Sequence, residues 1–325
     1  MVRLYDEFRL DEREMRSYYG EALVEAGRRD PRVVSINCDL SSSCGTTGFA
    51  KEFPGRSFNM GIQEANACCM AAGMSAAGLV PFFHSFAIFS SRRICDQLFM
   101  SCAYAKLNVR IIGCDPGVSA TYNGGTHMSF EDIGILRTFP GVTILEPTDA
   151  VMMKSLVAQM AESCGVFYMR SVRKNAERIY RPESEFRIGE AALLREGSDV
   201  SIIAGGVTVI EALKAADMLA QEGVSARVVD MFTLKPLDEK CVLECARLTG
   251  AIVTAENHQV RGGLGSAVAE VLAENLPTPM ERVGVKDEFG EVGLQDYLKE
   301  RFRITAPHIA AAARRAIDRK HSARL

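Results

Sequence analysis

The sequence contains no tryptophan, only five histidines, and no Cys-x-x-Cys pair among its ten cysteines. A thiolate or imidazole metal cage and a disulfide framework are therefore not expected. Most of the cysteines, Cys68 and Cys69 among them, read as small buried hydrophobes. An excess of positive charge is also lacking. The 38 Lys+Arg stand against 41 Asp+Glu, a formal net charge of -3, which removes the electrostatic basis for nucleic-acid binding. No apolar run approaches the roughly 20 residues that span a bilayer. The opening MVRLYDEFRLDEREMRSYYG is charged, without the apolar stretch of a signal peptide. The expected setting is the cytoplasm, with no membrane partner. Neither an internal repeat nor a low-complexity tract is present.

What the sequence does have is length and rhythm. Its 325 residues, 47% of them hydrophobic, suffice for two domains with cores of their own. Strand-length apolar runs alternate with segments of helical period. Strands are expected at 33–38, 109–113, 142–145 and 166–169. Helices are expected at 63–77, 92–106, 130–139 and 149–163, the last with Thr148 as N-cap. From Ser171 to Arg195 the chain turns charged and carries Pro182, as a linker does. The rhythm resumes with strands at 200–204, 226–229 and 251–255 and helices at 209–221, 237–248, 266–274 and 308–320. The fold class is α/β: two three-layer domains with mostly parallel, doubly wound sheets, residues 1–180 and 196–325, joined by a linker over 181–195.

Open parallel sheets bind ligands beyond the carboxyl ends of their strands, so the segments following strands are the candidates. Asp39–Gly48 is one of them. Gly61–Asn66 places one acid, Glu64, at the mouth of an apolar helix. It reads either as an acid favouring the helix dipole or as a carboxyl group in an apolar site, able to share a proton. Phe83, Phe86 and Phe89 recur every third residue and run into the polar stretch Ser90-Ser91-Arg92-Arg93. An aromatic stripe of this kind serves either a core or a flat ligand. Asp115–His127 is a loop by its Gly, Pro and Asn content and holds a single histidine.

Taken together these segments resemble a known family. GIQEANACCMAAGMSAAGLVPFFHSFAIFSSRRICDQL, then NGGTHMSFEDIGILR, then VTILEPTDA, is similar to the pyrimidine-binding domain of transketolases. GAIVTAENHQVRGGLGSAVAEVL and ERVGVKDEFGEVG are similar to their C-terminal domain. The likeness runs from about Tyr18 to the end, and its nearest form is the C-terminal section of a two-chain transketolase.

The resemblance implies the cofactor thiamine diphosphate, with Mg2+ or Ca2+ carried mainly by a partner. The Gly-Asp-Gly motif of the family's diphosphate-binding domain does not occur here. An N-terminal transketolase subunit is thus the implied partner, with self-association into a two-plus-two assembly. Glu64 matches the glutamate that hydrogen-bonds the pyrimidine ring and serves in activating the cofactor. Phe86 and Phe89 match the aromatic wall against which the ring packs, and Arg93 falls beside the cofactor. His127 matches the histidine at the sugar hydroxyls. Ser43 and Arg16 fall where the family grips the acceptor phosphate, and Arg170 where another phosphate-binding arginine sits.

Two positions depart. Asp115 stands where the family has a phosphate-binding histidine, and Asn123 where it has an aspartate that reads a donor hydroxyl. An aspartate beside a phosphate repels it. Asp115 is nearer the 1-deoxyxylulose-5-phosphate synthase pattern, but Pro116 replaces the arginine that follows there. The Gly262–Gly265 turn is read as tight strand–helix packing. The implied activity is transfer of a two-carbon ketol unit from a ketose (phosphate) to an aldose (phosphate). The rivals are a deoxyxylulose-phosphate synthase or 2-oxoacid dehydrogenase beta-subunit relative and, in another class, a non-catalytic assembly or regulatory subunit.

Overall fold

A computed structural model describes residues 2–322; Met1 and 323–325, at the outer limits of the two expected domains, lie outside the described residues. In chain order the first half comprises β1 (Leu4–Leu10), α1 (Met15–Arg29), β2 (Val33–Asn37), α2 (Thr47–Glu52), β3 (Ser57–Asn59), α3 (Glu64–Ala76), β4 (Val80–Phe86), α4 (Cys95–Gln97), β5 (Arg110–Cys114), α5 (Asp132–Arg137), β6 (Val142–Leu145), α6 (Ala150–Glu162) and β7 (Val166–Ser171). The second half comprises β8 (Glu177–Tyr180), β9 (Ala192–Arg195), β10 (Val200–Ala204), α7 (Thr208–Gln221), β11 (Ala226–Asp230), β12 (Thr233–Lys235), α8 (Glu239–Thr249), β13 (Ile252–Gln259), α9 (Leu264–Asn275), β14 (Met280–Val285), α10 (Gln295–Arg301) and α11 (Ala306–Ser322).

Two large sheets result. One has seven strands in the order β12-β6-β7-β5-β4-β2-β3, the other five in the order β14-β13-β10-β11-β9. Each is parallel except at one edge, where β12 on β6 and β9 on β11 run antiparallel. Central strands are apolar on both faces, as buried parallel strands require. Successive side chains feed opposite cores. Phe82, Ile112, Ile202 and Val228 pack with the face covered by α1, α6, α7 and α11. Their neighbours Phe83, Ile111, Ile203 and Val229 pack with the face covered by α3, α8 and α9. Both halves are therefore three-layer α/β units.

Several local expectations are corrected. Part of the expected linker is structured: β9 forms the edge of the second sheet, while β8 pairs antiparallel with β1. The helix at 92–106 widens to π geometry over Leu98–Tyr104, which periodicity alone does not distinguish. The N-cap of α6 is Asp149, not Thr148. Asp149 Oδ1 accepts from the N–H of Val151 and Met152, and Oδ2 from Ile179 and Tyr180; only a carboxylate has acceptors enough for all four. Thr148 instead donates to Asp230. Cys69 is exposed, whereas Cys68 is buried.

Candidate active site

The adjacent parallel strands β7, β5, β4 and β2 end side by side. Cys114 lies opposite Ser171, Phe86 opposite Cys114, and Asn37 opposite His84. The segments just beyond these four ends, together with the first turn of α3, form one continuous strip.

Glu64 opens α3 and is buried, 2% exposed. Its Oε1 accepts from Ser85 Oγ at 2.9 Å and its Oε2 pairs with Arg93 at 2.6 Å. The Arg93 side chain is 42% exposed, and its guanidinium lies 3.8 Å from the Phe89 ring centre, a cation–π contact that fixes its plane. The Cys38 thiol behind Glu64 is pushed up to about 12 by burial and by the Glu64 charge, so it stays protonated and inert.

Phe86, Phe89 and His127 form a three-ring cluster. The histidine ring meets both phenyl rings edge-on, at 5.7 and 5.2 Å. The Phe83–Phe86–Phe89 stripe therefore splits. Phe83 lies inside β4 and faces the core, while the other two, half-buried, flank the strip. A half-open aromatic wall beside a buried carboxylate suits a flat, nitrogen-bearing ring such as an aminopyrimidine.

Beyond Phe86 the strip turns ionic. Arg173 lies 5.8 Å from the Phe86 ring centre and pairs with Asp115 at 2.8 Å. Its backbone carbonyl accepts from the Arg16 N–H. Arg16 pairs with Glu14 at 2.6 Å and reaches the Ser42 carbonyl, beside Ser43. Lys174 also pairs with Glu14, at 2.7 Å. The Nε of Arg173 is a buried donor without an acceptor. Asn123 lies exposed on the loop that carries His127.

Two expected substrate contacts are corrected. Arg170 is fully buried and its guanidinium is used internally: Asp132 at 2.9 Å, Glu146 at 2.6 Å, and the carbonyl of Asn257 at 2.8 Å. It ties the two domains together and presents nothing to a phosphate. Asp115 is also fully buried. It touches the strip only through Arg173, and burial raises its carboxyl to about 6. Sequence reasoning passed over Arg173, which lies just past the end of β7, and Ser85, whose signal is a polar pair, His84-Ser85, near the end of an otherwise apolar strand.

The second domain holds the His127 loop in place. Asn257 accepts from the Val118 N–H at 2.9 Å and donates to the Pro116 carbonyl at 3.0 Å. Asp115 and Thr121 take positive φ, backbone strain of a kind found at functional sites, while Gly117 and Gly124 take it at no steric cost. The neighbouring Glu256 caps α9 through the N–H of Leu264 and Gly265, so the glycine turn there serves packing.

Among the described residues no three or more His, Cys, Asp or Glu are grouped to hold a metal ion, and no helix is long and apolar enough to cross a membrane. Two concavities of about 920 and 910 Å³ lie elsewhere, along α1 and α6.

Comparison with known proteins gives this strip a context. Residues 11–178 match the transketolase pyrimidine-binding domain family and residues 189–309 the transketolase C-terminal domain family. A 6-deoxy-6-sulfo-D-fructose transketolase subunit from a Clostridium species is 49% identical over 97% of this chain and 98% of its own length. A putative transketolase C-terminal section from Methanocaldococcus jannaschii is 40% identical, covering 91% of this chain and 94% of itself. A solved split-gene transketolase, described as an inactive beta4 tetramer, superposes with a TM-score of 0.89 at 44% identity, covering 94% of this chain and 99% of its own. Both domains, in order and nearly end to end with these relatives, place the chain in the transketolase family.

Proposed function

We propose that this chain is the C-terminal subunit of a two-chain transketolase, moving a two-carbon ketol unit from a ketose with an anionic end to an aldose. The observation that carries the reading is the continuity of the strip: buried Glu64, the Phe86–Phe89–His127 rings, then Arg173 and Arg16. Thiamine diphosphate supplies the electron sink when bound. Glu64 holds a proton donor or acceptor at the pyrimidine edge, with Ser85 and Arg93 fixing its carboxyl. Phe86 and Phe89 seat the ring. His127, steadied by the rings and by Thr126 at 2.9 Å, orients the sugar hydroxyls. Arg173, Arg16 and Ser43 hold the far end of the donor.

The diphosphate and its Mg2+ or Ca2+ belong, in this proposal, to an N-terminal partner subunit bearing the Gly-Asp-Gly motif. Two copies of each chain form the assembly; the C-terminal-section name of one relative supports a partner chain, and the split-gene, beta4 description of another supports self-association. The setting is the cytoplasm. All ten cysteines are free, Cys68 and Cys102 even at 3.8 Å, in keeping with a reducing compartment. The name of the 49% identical relative makes 6-deoxy-6-sulfo-D-fructose the first donor to assay.

The test is reconstitution. Mixed with its partner chain, thiamine diphosphate and Mg2+, the protein should transfer ketol units, and alone it should bind the cofactor weakly. In the mixture Glu64→Gln should lower turnover by about 10²–10⁴-fold. Release of CO2 from pyruvate without ketol transfer from any ketose would overturn the reading, as would full activity of the Gln variant.

A further inference from the structure

The ionic end of the strip has an unusual charge balance. Three cations converge there, Arg16, Arg173 and Lys174, and all three act on Asp115. Two carboxylates already answer them: Asp115 takes Arg173, and Glu14 takes both Arg16 and Lys174. Three positive and two negative groups leave a net charge of +1. Two atoms of the cluster, Arg173 Nε and the neighbouring Asp115 Oδ2, are buried without a hydrogen-bond partner, so an incoming anion meets the cluster at the partly exposed side chains of Lys174, Arg16 and, less, Arg173.

Building on the transketolase reading, we propose that Asp115, with Glu14, tunes this subsite to donors whose far end carries a single negative charge, such as a sulfonate or carboxylate, over a phosphate. A sulfonate carries one charge at neutral pH, whereas a phosphate monoester carries about 1.5–2. A cluster of +1 neutralises the first and leaves the second in excess. That excess faces the Asp115 carboxylate across a single guanidinium, in an interior where charge is poorly screened. Asp115 does not touch the substrate, because it is fully buried. It is a positioning residue whose charge is read through Arg173. The carboxylate also restrains that guanidinium: Oδ1 accepts from the Arg173 N–H at 3.0 Å while Oδ2 pairs with its side chain.

The experiment uses the reconstituted two-chain enzyme and three donors: fructose 6-phosphate, 6-deoxy-6-sulfofructose, and fructose as the uncharged reference. Asp115→Asn keeps the size and one acceptor but removes the charge. It should raise kcat/KM for the phosphate relative to the sulfonate by about tenfold or more, chiefly through KM. Fructose reports any loss common to all donors. A purely structural role for Asp115 would lower all three donors together and leave the ratios in place, and that result would overturn the proposal. Glu14→Gln, on a partly exposed side chain, should shift the ratio in the same direction and decides the matter if the Asn variant does not fold. Ketol transfer with ratios unmoved by both variants sinks the charge selector alone. No transfer by the wild-type assembly from any ketose sinks the transketolase reading and this inference with it.

Discussion

Two arginines three residues apart, Arg170 and Arg173, show how far a residue type can be read from sequence. Both sit near the end of β7, and both could hold a phosphate by chemistry. The strand's end separates them: Arg170 lies within the strand and points into the domain junction, whereas Arg173 lies beyond it, at the mouth. Composition brought Glu64, Phe86, Phe89 and His127 forward as candidates, and only the resemblance to a family attached roles to them; the structure brings them to one strip. Arg170 was misread because burial is not visible in a charge. Arg170→Leu should therefore destabilise the fold by about 3–5 kcal/mol, since Asp132 and Glu146 would be left buried without their cation. Thermal or urea unfolding checks this, and an unchanged midpoint would remove Arg170 as the tie between domains.

Among elements, the regular βα units were readable because strand and helix periods differ. Some of those missed carry small or polar residues where a pattern is sought. α1 contains Gly20 and Gly27, which weaken its helical signature. Yet a Cβ at Gly20 would meet the Gly45 carbonyl oxygen at 2.3 Å, so its absence lets α1 lie against the turn that presents Ser43. The His127 loop depends on the same economy of atoms. Gly117 has φ +54, and a Cβ there would meet Asn257 Oδ1 at 2.2 Å. Gly117→Ala should cost on the order of 1–3 kcal/mol and push the loop off Asn257. Ketol transfer in the reconstituted enzyme should fall at least about tenfold as His127 loses its register. Turnover equal to wild type would show that this anchor is dispensable.

Across the whole molecule, the domain junction also stores a pH dependence. Asp230, at the end of β11, is fully buried, and its Oδ2 accepts from both Thr148 and Tyr180 at 2.6 Å. Burial raises its carboxyl to about 7, and that of Glu256 to about 7 as well. An acid raised in the folded state binds its proton more tightly there than in the unfolded chain. Its stabilising effect is complete below about pH 4 and is lost as pH rises through 7. The unfolding free energy from urea titration should therefore fall between pH 5.5 and pH 8, by an amount on the order of 2–4 kcal/mol, and the midpoint with it. Asp230→Asn should flatten that slope; a wild-type midpoint that rises over the same interval would contradict it. The two domains are bound at a further place, where β12 leaves the second half of the chain and lies antiparallel on β6 of the first. An isolated fragment ending near residue 180 would thus carry a bare row of amide and carbonyl groups along β6, open to any extended segment it met. Such a fragment should clump rather than dissolve, and a short peptide spelling out Thr233–Lys235 with its neighbours would be its natural antidote.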